Sequence, residues 1–442
     1  MINLIRYIKE YGFIFKSSSI YNGIKSIYDY GPYGVLLKNN IKKLWWKSML
    51  FLNKNLYPID TAIFTHKNIW INSKHKKKFV YYVIINKINK KKYNILNFLK
   101  NKISLKKYNN LLKIYKKNDI YSLKKIFKKF NFNKKYKLKK INFMYKINKN
   151  IYLRPEISQG VYINYINLLK IYNYKLPFGI IQIGKSFRNE FLSNKFIFRM
   201  NEFEQMEIEY FDFFINEKIN YKLWIKKRLK WYNKIGIINI KLKKNINLPH
   251  YALNSIDIEY KFKYLNKYKE IEGLHLRHND LLNHKNKLFK DKNFKNISII
   301  ESSLGLDRFF YLLIDNFLYY VKSNNKYRFL LKLPYYLSPI KCAIFPLFNN
   351  NKIIKLAKKI YLYIKLSYMC IYDNKHSIGK RYKKQDIIGT PYCITVDKLS
   401  LIDKKVTIRF RNTMKQKRIF VKKIFIYLKK TKIKNFLNKI MY

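Results

Sequence analysis

The chain has 442 residues, with 94 Lys and Arg against 25 Asp and Glu, a formal charge of +69. Hydrophobic residues make up 48%, ample for a core, so two domains are expected with room for an insertion. No apolar run is long enough to cross a bilayer, and Cys342, Cys370 and Cys393 form no CxxC pair, which argues against a disulfide framework or a zinc module and suits a reduced compartment. In chain order, residues 1–75 suit a helical segment leading into a sheet, with helix-like apolar spacing from Leu36 to Leu52. Residues 76–150 are low in complexity and rich in Lys, Asn, Tyr and Ile, but too apolar to be simply disordered. After the window 151–211, an amphipathic helix pattern around Tyr221 to Trp231 is followed by strand-like segments up to 296, and 297–316 reads as a buried strand running into a helix. The character changes around Leu331 to Pro339. Beyond it, IKCAIFPL is a buried strand, Lys352 to Leu366 a helix, and YCITVD and KVTIRF further strands, an alternation that suits a compact α/β domain.

The window from Leu153 to Phe211 gathers six of the scarce acids: Glu156, Glu190, Glu202, Glu204, Glu207 and Glu209. A carboxylate cluster in so cationic a chain suits a site for a cationic group or a metal. Two runs in it alternate with period two. Gln182, Gly184, Ser186, Arg188 and Glu190 fall on one face and Ile181, Ile183 and Phe187 on the other; likewise Phe203, Gln205, Glu207 and Glu209 oppose Met206, Ile208 and Tyr210. With Ser and Asn at the Leu192 to Lys195 connection, this reads as a long antiparallel hairpin with one polar face. Alternation alone equally fits the solvated face of a sheet.

The literal residues go further. LRPE, FRNE and FRMNEFEQMEIEYF resemble motif 2 of the class II aminoacyl-tRNA synthetases, and more narrowly the glycyl-tRNA synthetases of the homodimeric type. YGFIFKSSSIYNGIKSIYDYGPYGVLLKNNIKKLWWKSM resembles that family's opening segment, IIESSLGLDRFF its motif 3, and SIGKRYKKQDIIGTPYCITVD with VTIRFRNTM its anticodon-binding domain. The resemblance implies an α+β fold: a class II antiparallel-sheet catalytic domain with flanking helices over residues 1–330, then an α/β anticodon-binding domain over 331–442. It places a basic insertion at about 76–150 and a further insertion at about 212–296. It also implies ATP and glycine as substrates, Mg²⁺, tRNA(Gly), a homodimer built on the motif 1 region and no membrane. Family-like sequence starts within the first dozen residues, so no cleavable presequence and a cytoplasmic location are expected. The charge is compatible with a polyanion partner. AT-rich codons, which favour Lys, Asn, Ile, Tyr and Phe, account for much of its amount.

The implied reaction is attack of the glycine carboxylate on the ATP α-phosphorus, then transfer of the glycyl group to a terminal tRNA ribose hydroxyl. It rests on positioning and electrostatics and needs no protein nucleophile. Arg188, whose guanidinium can hold two oxygens at once, is the first choice for the α-phosphate and the glycine carboxylate. By resemblance, Glu190 takes the adenine amino group, Phe203 and Arg308 sandwich the adenine, Arg308 also reaches the γ-phosphate, and Arg199 meets the β- and γ-phosphates. Asn189, Phe198, Glu270, Ile271, Gly305 and Asp307 complete the ATP site, and Arg188 and Arg308 are the catalytic pair. Glu156, Phe203, Glu204, Gln205, Glu207, Glu301, Ser303 and Gly305 make the glycine site, whose tight acidic walls would exclude larger amino acids. Glu270 and Glu301 are the metal candidates. In the last domain Lys380, Arg381, Lys383 and Lys384 could hold phosphates, and Tyr382 or Tyr392 stack on anticodon bases. The spacing of His275, His278 and His284 falls in a loop-like stretch and is not taken as a zinc site.

Three departures from the family pattern stand out: Ser302 where the family has Pro, Lys74 where it has Gly in Ser-Gly-His, and Asn94 where it has a substrate-binding Arg. One alternative is a non-catalytic nucleic-acid-binding relative. It could lose Arg188, Glu190 and Arg308 freely, and all three are present. A class II enzyme of other specificity is opposed by FEQMEIEY and YDYGP.

Overall fold

The computed structural model describes residues 4–90, 92–100, 103–104, 107–111, 120–129, 131, 134–172, 174–190, 196–246, 248–249, 251–277, 297–323 and 326–441. Helix α1 (Pro32–Leu52) opens on Pro at its first turn, where the missing N–H costs nothing. It buries Leu37, Ile41, Leu44, Trp45 and Met49 along one stripe. Strand β1 (Leu56–Pro58) follows it. The 76–150 stretch contributes a three-stranded sheet of β2 (Val80–Asn86), β3 (Lys92–Asn94) and β4 (Tyr136–Asn142), ordered β3-β2-β4. Its own small core includes Tyr82, Ile84, Ile95, Leu99 and Leu138, so the apolar residues that argued against disorder are buried together.

Helix α2 (Ser158–Tyr172) leads into the hairpin β5 (Phe178–Phe187) and β6 (Glu202–Phe213). The two pair antiparallel with Glu207 opposite Gln182 and Phe203 opposite Ser186. The expected turn at 192–195 lies outside the described residues. Helix α3 (Glu217–Ile235) ends on Gly236 at φ 95°, a left-handed cap that favours glycine. Strands β7 (Ile240–Lys244), β8 (Ala252–Phe262), β9 (Lys267–Arg277) and β10 (Ile297–Gly305) then precede α4 (Leu306–Phe317).

The central sheet runs β7-β8-β9-β10-β6-β5-β1, antiparallel except for β1 against β5. The stretch expected as an insertion at 212–296 thus supplies three strands of this sheet. One face packs Ile181, Met206, Ile208, Leu274, Ile300 and Leu304 against α1, α3 and α4. The other carries the polar residues.

The last domain has strands β11 (Cys342–Pro346), β12 (Cys370–Tyr372), β13 (Tyr392–Val396), β14 (Lys405–Phe410) and β15 (Gln416–Phe420), ordered β12-β11-β13-β14-β15. Helices α5 (Asn351–Lys365) and α6 (Ile378–Ile388) complete its α/β character. Among the described residues no helix is long and apolar enough to cross a membrane.

Candidate active site

The polar face of the sheet encloses a cavity of about 230 Å³. Period-two alternation explains its lining: Phe203, Gln205 and Glu207 of β6, Glu301, Ser303 and Gly305 of β10, and Gly273 and His275 of β9 all point into it. Glu209 continues the β6 row deeper, where it accepts from Tyr162 Oη at 2.5 Å. Arg188, Glu190, Phe198 and Arg199, just beyond the hairpin strands, close one side with Glu270 and Arg308.

The electrostatics divide the cavity. At its deep end Glu207 accepts from Ser303 Oγ at 2.6 Å and Gln205 Nε2 at 2.7 Å. Burial and the neighbouring Glu301 charge push its carboxyl up to about 8. Burial works the same way on Glu156, but His75, Arg277 and Arg188 together hold that carboxyl well below the usual range. Its Oε2 lies 3.1 Å from His75 Nε2, while Ser158 Oγ at 3.0 Å and Gln159 Nε2 at 3.2 Å donate to Oε1. Arg277 is the cation of the floor: it pairs with Glu301, stands 3.8 Å from Glu156, and lies 4.0 Å from the centre of the Tyr251 ring. At the open end the charges alternate. Glu190 meets Arg199 at 3.1 Å, and Glu270 meets Arg308 at 2.9 Å, an arginine that also lowers the Glu270 pKa.

Arg188 sits between the two regions. Its Nε donates to Pro155 O at 2.8 Å, and its guanidinium lies between the rings of Phe203 and Phe79, at 5.2 and 5.3 Å. Among the described residues it forms no ion pair within 4.0 Å, so the Glu190 beside it in sequence does not neutralise it.

Several nominated residues have partners that the sequence did not show. Glu204 is among the residues lining the cavity, but its carboxylate is held by Lys38 at 2.5 Å and by Lys42, both on α1. Asp307 also lines the cavity; it accepts from Tyr30 Oη, from Lys38 Nζ at 3.1 Å and from the Glu204 N–H at 2.9 Å, so it ties α4 to α1 and β6. Asn189 is not among the residues lining the cavity; its N–H donates to Phe143 O at 2.7 Å. Ile271 lines the cavity but is buried in the core. Glu270 and Glu301 both line the cavity but stand apart along it. Glu301 faces His275 in the register, five residues along β9 from Glu270, a separation of roughly 16 Å. Among the described residues no group of three or more His, Cys, Asp or Glu could hold a metal ion. His275 is on a strand, with its Nδ1 2.9 Å from Ser255 Oγ; His278 and His284 lie outside the described residues.

In the last domain, Arg381 is buried, donating to Pro346 O at 2.8 Å and Asp373 O at 3.1 Å. Tyr382 bonds Thr395 Oγ1 at 2.7 Å and Tyr392 is core, which leaves Lys380, Lys383 and Lys384 exposed. The departures also find places. Ser302 donates to Glu272, which Arg228 and Tyr232 also hold, and Lys74 takes φ 63°, the left-handed region where glycine is at ease. The side chain of Asn94 lies outside the described residues.

Sequence reasoning missed Tyr251, Gly273, His275 and Arg277, all on or beside β9. The period-two row Gly273, His275, Arg277 was the available signal. A Cβ on Gly273 would meet His275 Nε2 at 2.7 Å, so the imidazole lies across a position that needs glycine.

The fold and this cavity are those of a class II aminoacyl-tRNA synthetase. Residues 136–317 match the tRNA synthetase class II core domain (G, H, P, S and T), and residues 341–431 the anticodon binding domain. Among solved structures, a threonyl-tRNA synthetase structure from Cryptosporidium parvum Iowa II, described as its RNA binding domain, aligns with TM-score 0.65 at 14% identity over 95% of this chain and 96% of that one. A C. parvum prolyl-tRNA synthetase with L-proline and AMP aligns with TM-score 0.61 at 12% identity over 99% and 79%. At these identities the likeness speaks for the fold alone. Curated relatives narrow the family. The glycine–tRNA ligase of Borreliella afzelii (strain PKo) is 37% identical over 99% of this chain and 98% of its own length. That of Ureaplasma parvum serovar 3 is 38% identical over 96% and 95%, and that of Treponema denticola 35% over 99% and 98%. The chain belongs to the glycine–tRNA ligase family.

Proposed function

We propose that the cavity activates glycine with ATP and passes the glycyl group to tRNA(Gly), releasing pyrophosphate and then AMP. The observation that carries the reading is the convergence of Arg188, with no ion-pair partner among the described residues, on a deep pocket walled by Glu156, Glu207 and Ser303. A glycine ammonium fits the carboxylates and its carboxylate faces Arg188. Arg188 steadies charge as the carboxylate oxygen bonds the α-phosphorus and the bond to pyrophosphate breaks. Phe203 and Arg308 hold the adenine, Glu190 accepts from its amino group, and Arg199 and Arg308 meet the outer phosphates. For binding, the Glu190–Arg199 and Glu270–Arg308 pairs open and regroup around ATP.

A divalent ion held mainly by the phosphates fits Glu270, which Arg308 keeps ionised at the cavity's open end. It does not fit Glu301, buried against Arg277. The ion would offset phosphate charge. The exposed Phe15, Ile20, Tyr21 and Ile24 ahead of α1 support a homodimer of the family's type. The protein acts in the cytoplasm on this reading. A non-catalytic relative is not favoured, because every arginine the chemistry needs faces the cavity.

Glycine-dependent ATP–pyrophosphate exchange and charging of tRNA(Gly) test the proposal, with a sedimentation measurement for the dimer. Exchange driven by another amino acid, or by none while tRNA still binds, would overturn it.

A further inference from the structure

The segment Ser73–Phe79 is the outgoing root of the 76–150 insertion, and it reaches the cavity from behind in two places. His75 is fully buried, with Nε2 3.1 Å from Glu156 Oε2 and Nδ1 2.8 Å from Ser73 Oγ. The Phe79 ring lies 4.9 Å from that imidazole and 5.3 Å from the Arg188 guanidinium, which also lies 5.2 Å from the Phe203 ring. The returning strand is tied to the same place: the Phe143 N–H donates to Phe79 O at 2.9 Å, and the Asn189 N–H to Phe143 O at 2.7 Å.

We propose that this root is part of the active site, with His75 the positioning residue for Glu156 and Phe79 the positioning residue for Arg188. The proposal rests on the glycine and α-phosphate roles given above to those two residues. The physical case is one of constraint. Ser158 and Gln159 hydrogen-bond one oxygen of Glu156, which also lies 3.8 Å from Arg277, and the buried His75 ring stands in ion-pair contact with the other, so the carboxylate is constrained from both sides. Arg188 has a long side chain whose guanidinium must stay aimed with no ion-pair partner among the described residues. Two ring faces and the Pro155 carbonyl leave it little freedom.

The test uses the full-length protein, with exchange measured at varied glycine and varied ATP. His75→Ala should raise the glycine KM about tenfold or more and move the ATP KM little, the scale of a lost hydrogen bond to a charged group. His75→Gln, whose amide N–H reaches the same oxygen, should recover most of the loss. In a double-mutant cycle, His75→Ala should add little to Glu156→Gln. Phe79→Leu keeps the apolar volume and removes the ring face; it should lower kcat about tenfold, with kcat/KM for glycine falling at least as far because Arg188 also meets the glycine carboxylate. Additive effects of His75→Ala and Glu156→Gln, equal loss in His75→Ala and His75→Gln, or wild-type kcat in Phe79→Leu would overturn the proposal. If Glu156→Gln alone left the glycine KM unaltered, the glycine role of Glu156 would fall first, a result distinct from additivity. Should His75→Ala not fold, as judged by its melt, His75→Phe, which fills the site without a ring nitrogen, takes its place in the cycle, and the same outcomes decide the matter.

Discussion

Replacing Glu207 by Gln separates what the glycine pocket costs the fold from what it does for the substrate. In the free enzyme burial and Glu301 raise this carboxyl from 4.5 to about 8. A group with a raised folded-state pKa lends stability that is fully present below the unfolded value and is lost as pH rises through the folded one. The window here runs from 4.5 to about 8, and above it the buried charge costs up to about 5 kcal/mol, at about 1.4 kcal/mol per pH unit. A glutamine resembles the protonated acid. Its carbonyl can keep the hydrogen bonds from Ser303 and Gln205, while Oε2, which finds no hydrogen-bond partner in the free enzyme among the described residues, becomes the amide nitrogen. Glu207→Gln should therefore melt close to wild type near pH 5 and several degrees higher near pH 8.5. Glycine should narrow the gap by supplying wild type with a counter-charge. Exchange should show the opposite ranking: kcat/KM for glycine falls at least about tenfold, the value of a charge-assisted hydrogen bond to the ammonium. The wild-type glycine KM should fall as pH rises from about 6 to 8, since the proton no longer has to leave. A flat KM over that range, or a variant less stable than wild type near pH 8.5, would refute the reasoning.

Arg188→Ala should leave the melt within a few degrees of wild type and lower glycine-dependent exchange at least about a hundred-fold, the effect of removing one preorganised donor; near-normal exchange would remove it from the site. Lys74→Gly should stabilise the protein by about 0.5–1 kcal/mol in urea titration, because relief of left-handed strain at φ 63° outweighs the added freedom of the unfolded chain. Arg277→Met should cost about 3–5 kcal/mol in the same titration, since Glu301 and Glu156 would lose the buried cation between them.

The sequence by itself determined most of the architecture and the identity of the chemistry. Period-two alternation in Gln182 to Arg188 and in Phe203 to Glu209 is a local property, so it showed which side chains share a face before any pairing was known. Helical spacing did the same for α1 and α3. What alternation left open was which face is solvated. Only the tertiary structure decided that, by laying β10 beside β6 and β9 beside β10 so that the polar rows of three strands close one cavity. The same distance in sequence hid Arg277 and His75. Each counters a carboxylate more than 20 residues away in the chain, and nothing local reveals such a pairing. It also hid the partners of Glu204 and Asp307, acids of the cavity lining that answer Lys38 and Tyr30 across the domain. Local periodicity sets the direction of a side chain; its charge finds a partner only when remote segments meet.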